Sequence, residues 1–279
     1  MDTKYVFING TYMEAAQASL LITDLAIQRG YGIFDFFKTI GGKAVFLSDH
    51  LERFFHSAAK MHLNPGYTPT ELEAILMTLI EKNNIPDSGI KITLTGGYSA
   101  DGYALGKPNL VITQQPLTIS LAMDPKGISL ATYSHQRQLS EVKTLDYLMA
   151  IWLQPFIKEQ HADDVLYQHD GLIKECPRAN FFIVTKDNEL ITAKSNVLKG
   201  IIRKNILKLE HPDFKITERD FTMSDLQNAK EAFITSTTKH IMPVISIDGA
   251  YFSDGKPGEI TRKLSRLLIN KIKELQEIL

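Results

Sequence analysis

The chain has 279 residues, 44% of them hydrophobic, enough to fill one large or two modest domains. Its 31 Lys and Arg against 32 Asp and Glu leave a formal net charge of -1. That balance excludes a global basic field for nucleic acid or an anionic membrane surface, and small molecules are the expected partners. A lone cysteine, Cys176, rules out an internal disulfide and argues against a thiolate metal cluster, so no metal is expected. Met1-Asp2-Thr3-Lys4 runs straight into a strand-like stretch, and no segment approaches the length of a membrane span, so a cytoplasmic location is expected.

In chain order, Tyr5-Val6-Phe7-Ile8 before Asn9-Gly10 predicts a strand entering a tight hairpin. A second strand is predicted from Ile33 to Ile40, ending at Gly41-Gly42, with Ala44-Val45-Phe46-Leu47 pairing back. Ser48 then reads as the cap of a helix whose apolar face is Leu51, Phe54, Phe55, Ala58 and Ala59. A helix from Pro69 to about Lys82 and strands over Ile90–Thr95 and Asn109–Thr113 complete an N-terminal α+β unit of residues 1–115. Gln114-Gln115-Pro116 is read as the interruption, with a linker at 116–122 and a larger C-terminal domain at 123–279. That domain is expected to hold a helix from about Leu145 to Gln160, a strand Val165–His169 turning at Asp170-Gly171, and a mostly antiparallel set at 180–185, 190–193 and 232–235. Its other helices are predicted near 200–209, 223–229 and 258–278.

The candidate chemistry starts at Lys143, in Glu141-Val142-Lys143-Thr144-Leu145-Asp146-Tyr147. A lysine just before a helix can be captured as a Schiff base by an aldehyde cofactor, although any one lysine also reads as a solvated surface charge. Glu175, at the end of an internal strand, could hold a pyridine nitrogen protonated. Leu198-Lys199-Gly200-Ile201-Ile202-Arg203 places two free amides, those of Ile201 and Ile202, in the first turn of a helix, where phosphate binds well; an ordinary loop-to-helix junction reads the same. Ser236, Thr237 and Thr238 follow the apolar run Ala232-Phe233-Ile234, so their hydroxyls would meet a phosphate oxygen or cap a turn. Arg53 offers a rigid fork for phosphate, or a surface ion pair.

Taken together these pieces resemble the fold-type IV enzymes dependent on pyridoxal 5'-phosphate (PLP), the class IV aminotransferases, and most of all their D-amino acid aminotransferase group. The resemblance runs nearly end to end and also covers Asp24, Gly30, Gly32, His50-Leu51-Glu52-Arg53, Asn180 and Pro243-Val244. It implies a two-domain α+β fold with the cofactor between the domains, and a homodimer. It further implies a Schiff base at Lys143, a Glu175 contact to the ring nitrogen, phosphate binding by Arg53, Ile201, Ile202 and Thr237, Leu198 against the ring, and Tyr147 donating to the ring hydroxyl.

Departures from the family pattern concern the substrate. Phe34 stands where a tyrosine helps the D-amino acid enzymes hold a carboxylate, and their arginine falls at Gly96 or Gly97. Ile202 replaces a common threonine, which keeps the amide and loses a hydroxyl. Arg178, in Cys176-Pro177-Arg178-Ala179, is hypothesised to supply a new carboxylate contact, against the alternative of a structural ion pair. Strand alternation puts Phe34, Phe36 and Lys38 on one face, which fits an apolar-walled pocket or a plain core equally well. Thr238, Arg137 and Tyr103 are further candidates, and Cys176 reads as a small filler.

The activity implied is transfer of an amino group between an amino acid and a 2-oxo acid. Aminodeoxychorismate lyase, forming 4-aminobenzoate and pyruvate, is the alternative within the family, and a catalytically silent binding protein is the alternative outside it.

Overall fold

A computed structural model describes residues 4–278. The chain divides into two compact units: residues up to 119 with 142–146 and those from 275 on, and residues 120–141 with 147–274.

In the first unit, Asn9 and Gly10 take φ of 47° and 97°, the positive angles of a two-residue hairpin, and join β1 (Tyr5–Ile8) to β2 (Thr11–Glu14). A short helix absent from the sequence reading, α1 (Leu25–Arg29), follows. The Asp24 side chain accepts from the Ala26 amide at 2.7 Å to start it, and Gly30 ends it at φ 67°. The unit continues with β3 (Gly32–Ile40), β4 (Lys43–Ala44), α2 (Leu47–Lys60), α3 (Pro69–Asn83), β5 (Ser88–Thr95) and β6 (Leu110–Pro116). Its sheet is antiparallel, in the order β2-β1-β6-β5-β3-β4.

Leu51, Phe54 and Ala58 of α2 and Leu72, Leu76 and Leu79 of α3 join one core with Phe7, Ile33, Phe37, Ile90, Ile92 and Leu94. Burying each large side chain is worth about 1.5–3 kcal/mol. Ser48 does not cap α2. The Val45 amide donates to the Lys38 carbonyl, so the chain turns at Phe46, in the left-handed region at φ 55°, and the helix has already begun at Leu47. Ala59, expected on the apolar face, is exposed. Gln114, Gln115 and Pro116 are the last residues of β6, not an interruption of it: Gln114 is buried and donates to Ser88 Oγ at 2.8 Å, and the proline sits at the strand's final position, where a missing N–H is tolerated.

In the second unit the expected long helix is broken at Leu153 into α4 (Leu148–Trp152) and α5 (Gln154–Glu159). Its strands are β7 (Ile128–Ser134), β8 (Asp164–His169), β9 (Leu172–Ile173), β10 (Glu175–Cys176), β11 (Ala179–Val184), β12 (Glu189–Thr192), β13 (Lys215–Glu218), β14 (Glu231–Ser236), β15 (His240–Ile247) and β16 (Ala250–Tyr251). The remaining helices are α6 (Ile201–Ile206), α7 (Met223–Gln227) and α8 (Glu259–Ile278). The main path of the sheet is β13-β12-β11-β14-β15-β7-β8-β9, with parallel pairing at β12/β13, β15/β7 and β7/β8. Glu231 of β14 accepts from the amides of Ile260 and Thr261 at 3.0 and 2.8 Å, fixing the start of α8.

Asn83 closes the first unit. Its Oδ1 accepts from the Tyr5 amide at 2.8 Å, and its Nδ2 donates to the Tyr5 carbonyl and to Gln114 Oε1, both at 3.0 Å. Removing a buried partner leaves those groups unpaired, a cost of about 1–3 kcal/mol. Asn83→Ala is therefore expected to lower the unfolding free energy by about that amount in denaturant titration; a midpoint equal to the wild type would show that these bonds contribute nothing.

Candidate active site

The site residues predicted from sequence fall into two groups, one on each unit. On the first, residues 143–145 form a short bridge along the free half of β3: the Phe34 amide donates to the Lys143 carbonyl at 3.0 Å, and the Leu145 amide donates to the Gly32 carbonyl at 2.9 Å. The bridge needs glycine at 32, where a Cβ would stand 2.7 Å from the Leu94 carbonyl oxygen and 2.8 Å from Leu145 Cδ1. Val142 and Thr144 are buried, and the intervening Lys143 projects its half-buried side chain to the Phe34 ring, with Nζ 4.5 Å from the ring centre. Lys143, set by sequence in the C-terminal domain, is held by this pairing in the compact unit of β3.

Phe34, Phe36 and Lys38 share a face of β3 by alternation, while Asp35 lies on the other with α2. Arg53 grips Asp35 bidentately, Nε and Nη2 each at 2.8 Å, and His50 Nδ1 lies 2.7 Å from the same carboxylate. Burial pushes the Asp35 carboxyl up, but Arg53 and His50 outweigh it and hold Asp35 far below the usual carboxylate range. Burial also holds His50 below its ordinary value against the pull of Asp35, with Arg53 and Lys143 pushing the same way; the carboxylate can only accept, so Nδ1 carries the hydrogen. Arg53 is thus committed first to an ion pair, the alternative its sequence left open, but a buried one, and its partner Asp35 carried no signal. Its Nη1 donates to nothing among the described residues and can still take an oxygen of a phosphate.

On the second unit, Glu175 is 4% exposed and accepts from Arg137 Nη1 at 3.0 Å, Asn180 Nδ2 at 3.1 Å and the Leu198 amide at 3.1 Å. Arg137, a secondary candidate in the sequence, is its ion-pair partner, and no spacing signalled this. Asn180 also donates to the Leu198 carbonyl at 2.7 Å, and a Cβ on Gly200 would fall 2.1 Å from Asn180 Oδ1. The glycine thus lets the loop close on Asn180 and leads into α6, where the amides of Ile201 and Ile202 have no acceptor among the described residues. Two free amides, a half-buried Thr237 and the buried, unpartnered Thr235 Oγ1 are groups that fit a phosphate-bearing cofactor on this unit.

Leu198 and Tyr147 are half-buried, whereas Thr238 and Arg178 are exposed. Arg178 lines a cavity of about 320 Å³ with Tyr147, Asp163 and Asp164. Tyr103 is 88% exposed and part of no cluster, and Cys176 is buried, with burial driving its thiol far up and out of nucleophilic reach. Of the two glycines where the family's arginine was expected to fall, Gly97 excludes a side chain, since a Cβ would lie 2.0 Å from the Lys107 carbonyl oxygen, while at Gly96 a Cβ would lie 2.9 Å from the end of the Leu25 side chain.

Lys38 is 1% exposed, and burial pulls its amine from 10.5 to about 7. The folded value is depressed, so the unfolded chain binds more protons between the two, and stability rises with pH across that window. Lys38→Met should raise the thermal midpoint at about pH 7, with the gain shrinking as pH approaches about 10; a gain independent of pH would contradict a strained ammonium.

A family model, Amino-transferase class IV, matches residues 32–247. The D-alanine aminotransferase of Staphylococcus haemolyticus is 30% identical, over 93% of this chain and 94% of that protein. Among solved structures, the branched-chain amino acid aminotransferase of Escherichia coli superposes with a TM-score of 0.89 at 21% identity, covering 97% of this chain and 94% of that one. The T.th. branched-chain enzyme with pyridoxamine 5'-phosphate gives 0.89 at 20% identity, with coverage of 98% and 95%. These likenesses establish a fold-type IV, α+β architecture in two parts, and by the family match the chain belongs to the class IV aminotransferases.

Proposed function

We propose that this class IV aminotransferase uses PLP to move an amino group between an amino acid and a 2-oxo acid, with Lys143 as its catalytic residue. The observation that carries the reading is Lys143, whose backbone is paired to β3 at Phe34 and whose amine lies 4.5 Å from the centre of the Phe34 ring. When bound, the cofactor supplies an aldehyde that accepts the amino group and a ring that takes up the electron pair left at the substrate's α carbon. Lys143 is the group to remove and return the proton at that carbon. Glu175, kept anionic and immobile by Arg137, Asn180 and the Leu198 amide, is assigned to the ring nitrogen. Arg53 Nη1, the amides of Ile201 and Ile202, and Thr237 are each suited to a phosphate oxygen, Leu198 to the ring face and Tyr147 to the ring hydroxyl.

Phe34, Phe36, Lys38 and Thr238 are assigned to the substrate side. Arg178 is a weaker carboxylate contact than its charge suggests, since Asp163 and Asp164 share its cavity. The lyase reading is not favoured: the family and the curated relative are aminotransferases. A silent binding protein would have no use for both Lys143 and a cation-held Glu175. No described helix is long and apolar enough to cross a membrane, which accords with a cytoplasmic enzyme. Exposed Leu148, Ile151 and Trp152 offer apolar surface of the kind a second copy covers, in keeping with a homodimer.

The test is spectroscopic. Protein incubated with PLP and collected at twice the chain mass should absorb between roughly 330 and 420 nm, and the band should shift on adding alanine, glutamate or leucine of either hand, with the amino group recovered on a 2-oxo acid. No shift with any donor, or 4-aminobenzoate formed from aminodeoxychorismate, would overturn the reading.

A further inference from the structure

The last helix of the second unit carries a basic stripe that the reaction leaves unused. Arg262, Arg266 and Lys273 of α8 are exposed and stand at spacings of four and seven residues, which puts them on one row, while Leu264, Leu268 and Ile272 are buried on the other side. Lys263, off that row, is answered by Asp213, but none of the three has a carboxylate in ion-pair range among the described residues. Arg266 commits only Nε, to the Arg262 carbonyl at 3.4 Å, so both guanidiniums keep their terminal nitrogens for a ligand.

The stripe forms one wall of a cavity of about 550 Å³, and residues 121–123, where the chain enters the second unit, form the other. Half-buried Leu121 and Met123 and buried Ile269 line it with apolar surface. Ser265, one turn before Ile269, also lines it and is 6% exposed. A serine inside a helix often returns its hydroxyl to the carbonyl four residues back, yet Ser265 Oγ has no partner among the described residues. A buried hydroxyl in that state gains from any oxygen brought to it.

Two arginines one turn apart, about 6 Å along the axis, present planar forks to the oxygens of a phosphate or diphosphate. Lys273 follows about 10 Å beyond Arg266, and the stretch between them passes Ile269. The fitting ligand therefore has an anionic end and an apolar or aromatic body, in a volume typical of small-molecule sites. We infer that the cavity between residues 121–123 and α8 binds a phosphorylated small molecule with an aromatic body, of the nucleotide class. Its phosphate oxygens meet Arg262, Arg266 and the Ser265 hydroxyl, its ring lies on Leu121, Met123 and Ile269, and Lys273 takes a second polar group. The site shares no residue with the proposed cofactor and substrate groups, and it does not depend on them.

Isothermal titration calorimetry of the full chain, loaded with PLP and freed of the excess, tests this with ATP, AMP, adenosine and inorganic pyrophosphate at about 150 mM salt without divalent cations. One equivalent of ATP or AMP should bind, with adenosine and pyrophosphate each at least about tenfold weaker, since each lacks one half of the ligand. The double variant Arg262→Gln with Arg266→Gln should weaken ATP binding about a hundredfold and Ser265→Ala about fivefold, with the PLP absorbance and thermal midpoint unchanged. Should the double variant fail to fold, Lys273→Gln carries the same comparison. No binding of either nucleotide, or wild-type affinity in the arginine variant, overturns the inference. Pyrophosphate binding as tightly as ATP, with affinity lost between about 50 and 200 mM salt, would mark counterion pairing on a basic surface and overturn it as well. A single-stranded oligonucleotide binding where mononucleotides do not would overturn it in favour of a nucleic-acid backbone. A chain that transaminates nothing would leave each of these outcomes readable.

Discussion

Two backbone hydrogen bonds between residues 143–145 and the first residues of β3 fix the position of Lys143, the residue on which the proposed chemistry depends. They are possible because β4 pairs with β3 only at Thr39 and Ile40, leaving the strand's beginning open, and because Gly32 has no Cβ to meet Leu94 and Leu145. Val142 anchors the bridge in the core of the first unit, so the register of the lysine is set by apolar burial as well as by the backbone. Sequence alternation then decides the direction in which its side chain points. The face of the Phe34 ring lies against that side chain, with Nζ 4.5 Å from the ring centre.

In each unit one buried carboxylate is held by an arginine and further N–H donors. Asp35 is answered by the Arg53 guanidinium and the Nδ1–H of His50, and Glu175 by the Arg137 guanidinium, Asn180 and the Leu198 amide. A buried charge left unpaired is far more costly than one held in such a cluster, so these groups are immobile as well as ionised. Immobility is what a catalytic electrostatic group needs, because no reorganisation is then required when charge develops in the substrate. Arg53 shows the economy of the arrangement: two of its nitrogens order β3 against α2, and the third remains for a ligand.

Much of this was legible in the chain. Hairpin dipeptides such as Asn9-Gly10 and Asp170-Gly171 demand positive φ, and long amphipathic helices repeat their apolar residues often enough to be seen. Lys143, Glu175 and the Leu198–Arg203 run carried the family by motif. The short helix α1 was not legible, since five residues give too little periodicity, whereas the break at Leu153 was marked by Pro155 in the first turn of α5 and was read through. Asp35 and Arg137 act through partners 18 and 38 residues away in sequence, and a single chain does not reveal such pairings until the strands are in register. The loss of the family's arginine at Gly96 or Gly97 could be read, but not the backbone crowding that forbids a side chain at Gly97.

The attachment point of the cofactor is the most direct measure of the central claim. The protein loaded with PLP, reduced with borohydride and digested, should yield a single phosphopyridoxyl-modified peptide bearing the added mass on Lys143. Modification at Lys38 or Lys91 instead, or none at all, would contradict the place given to the bridge on β3.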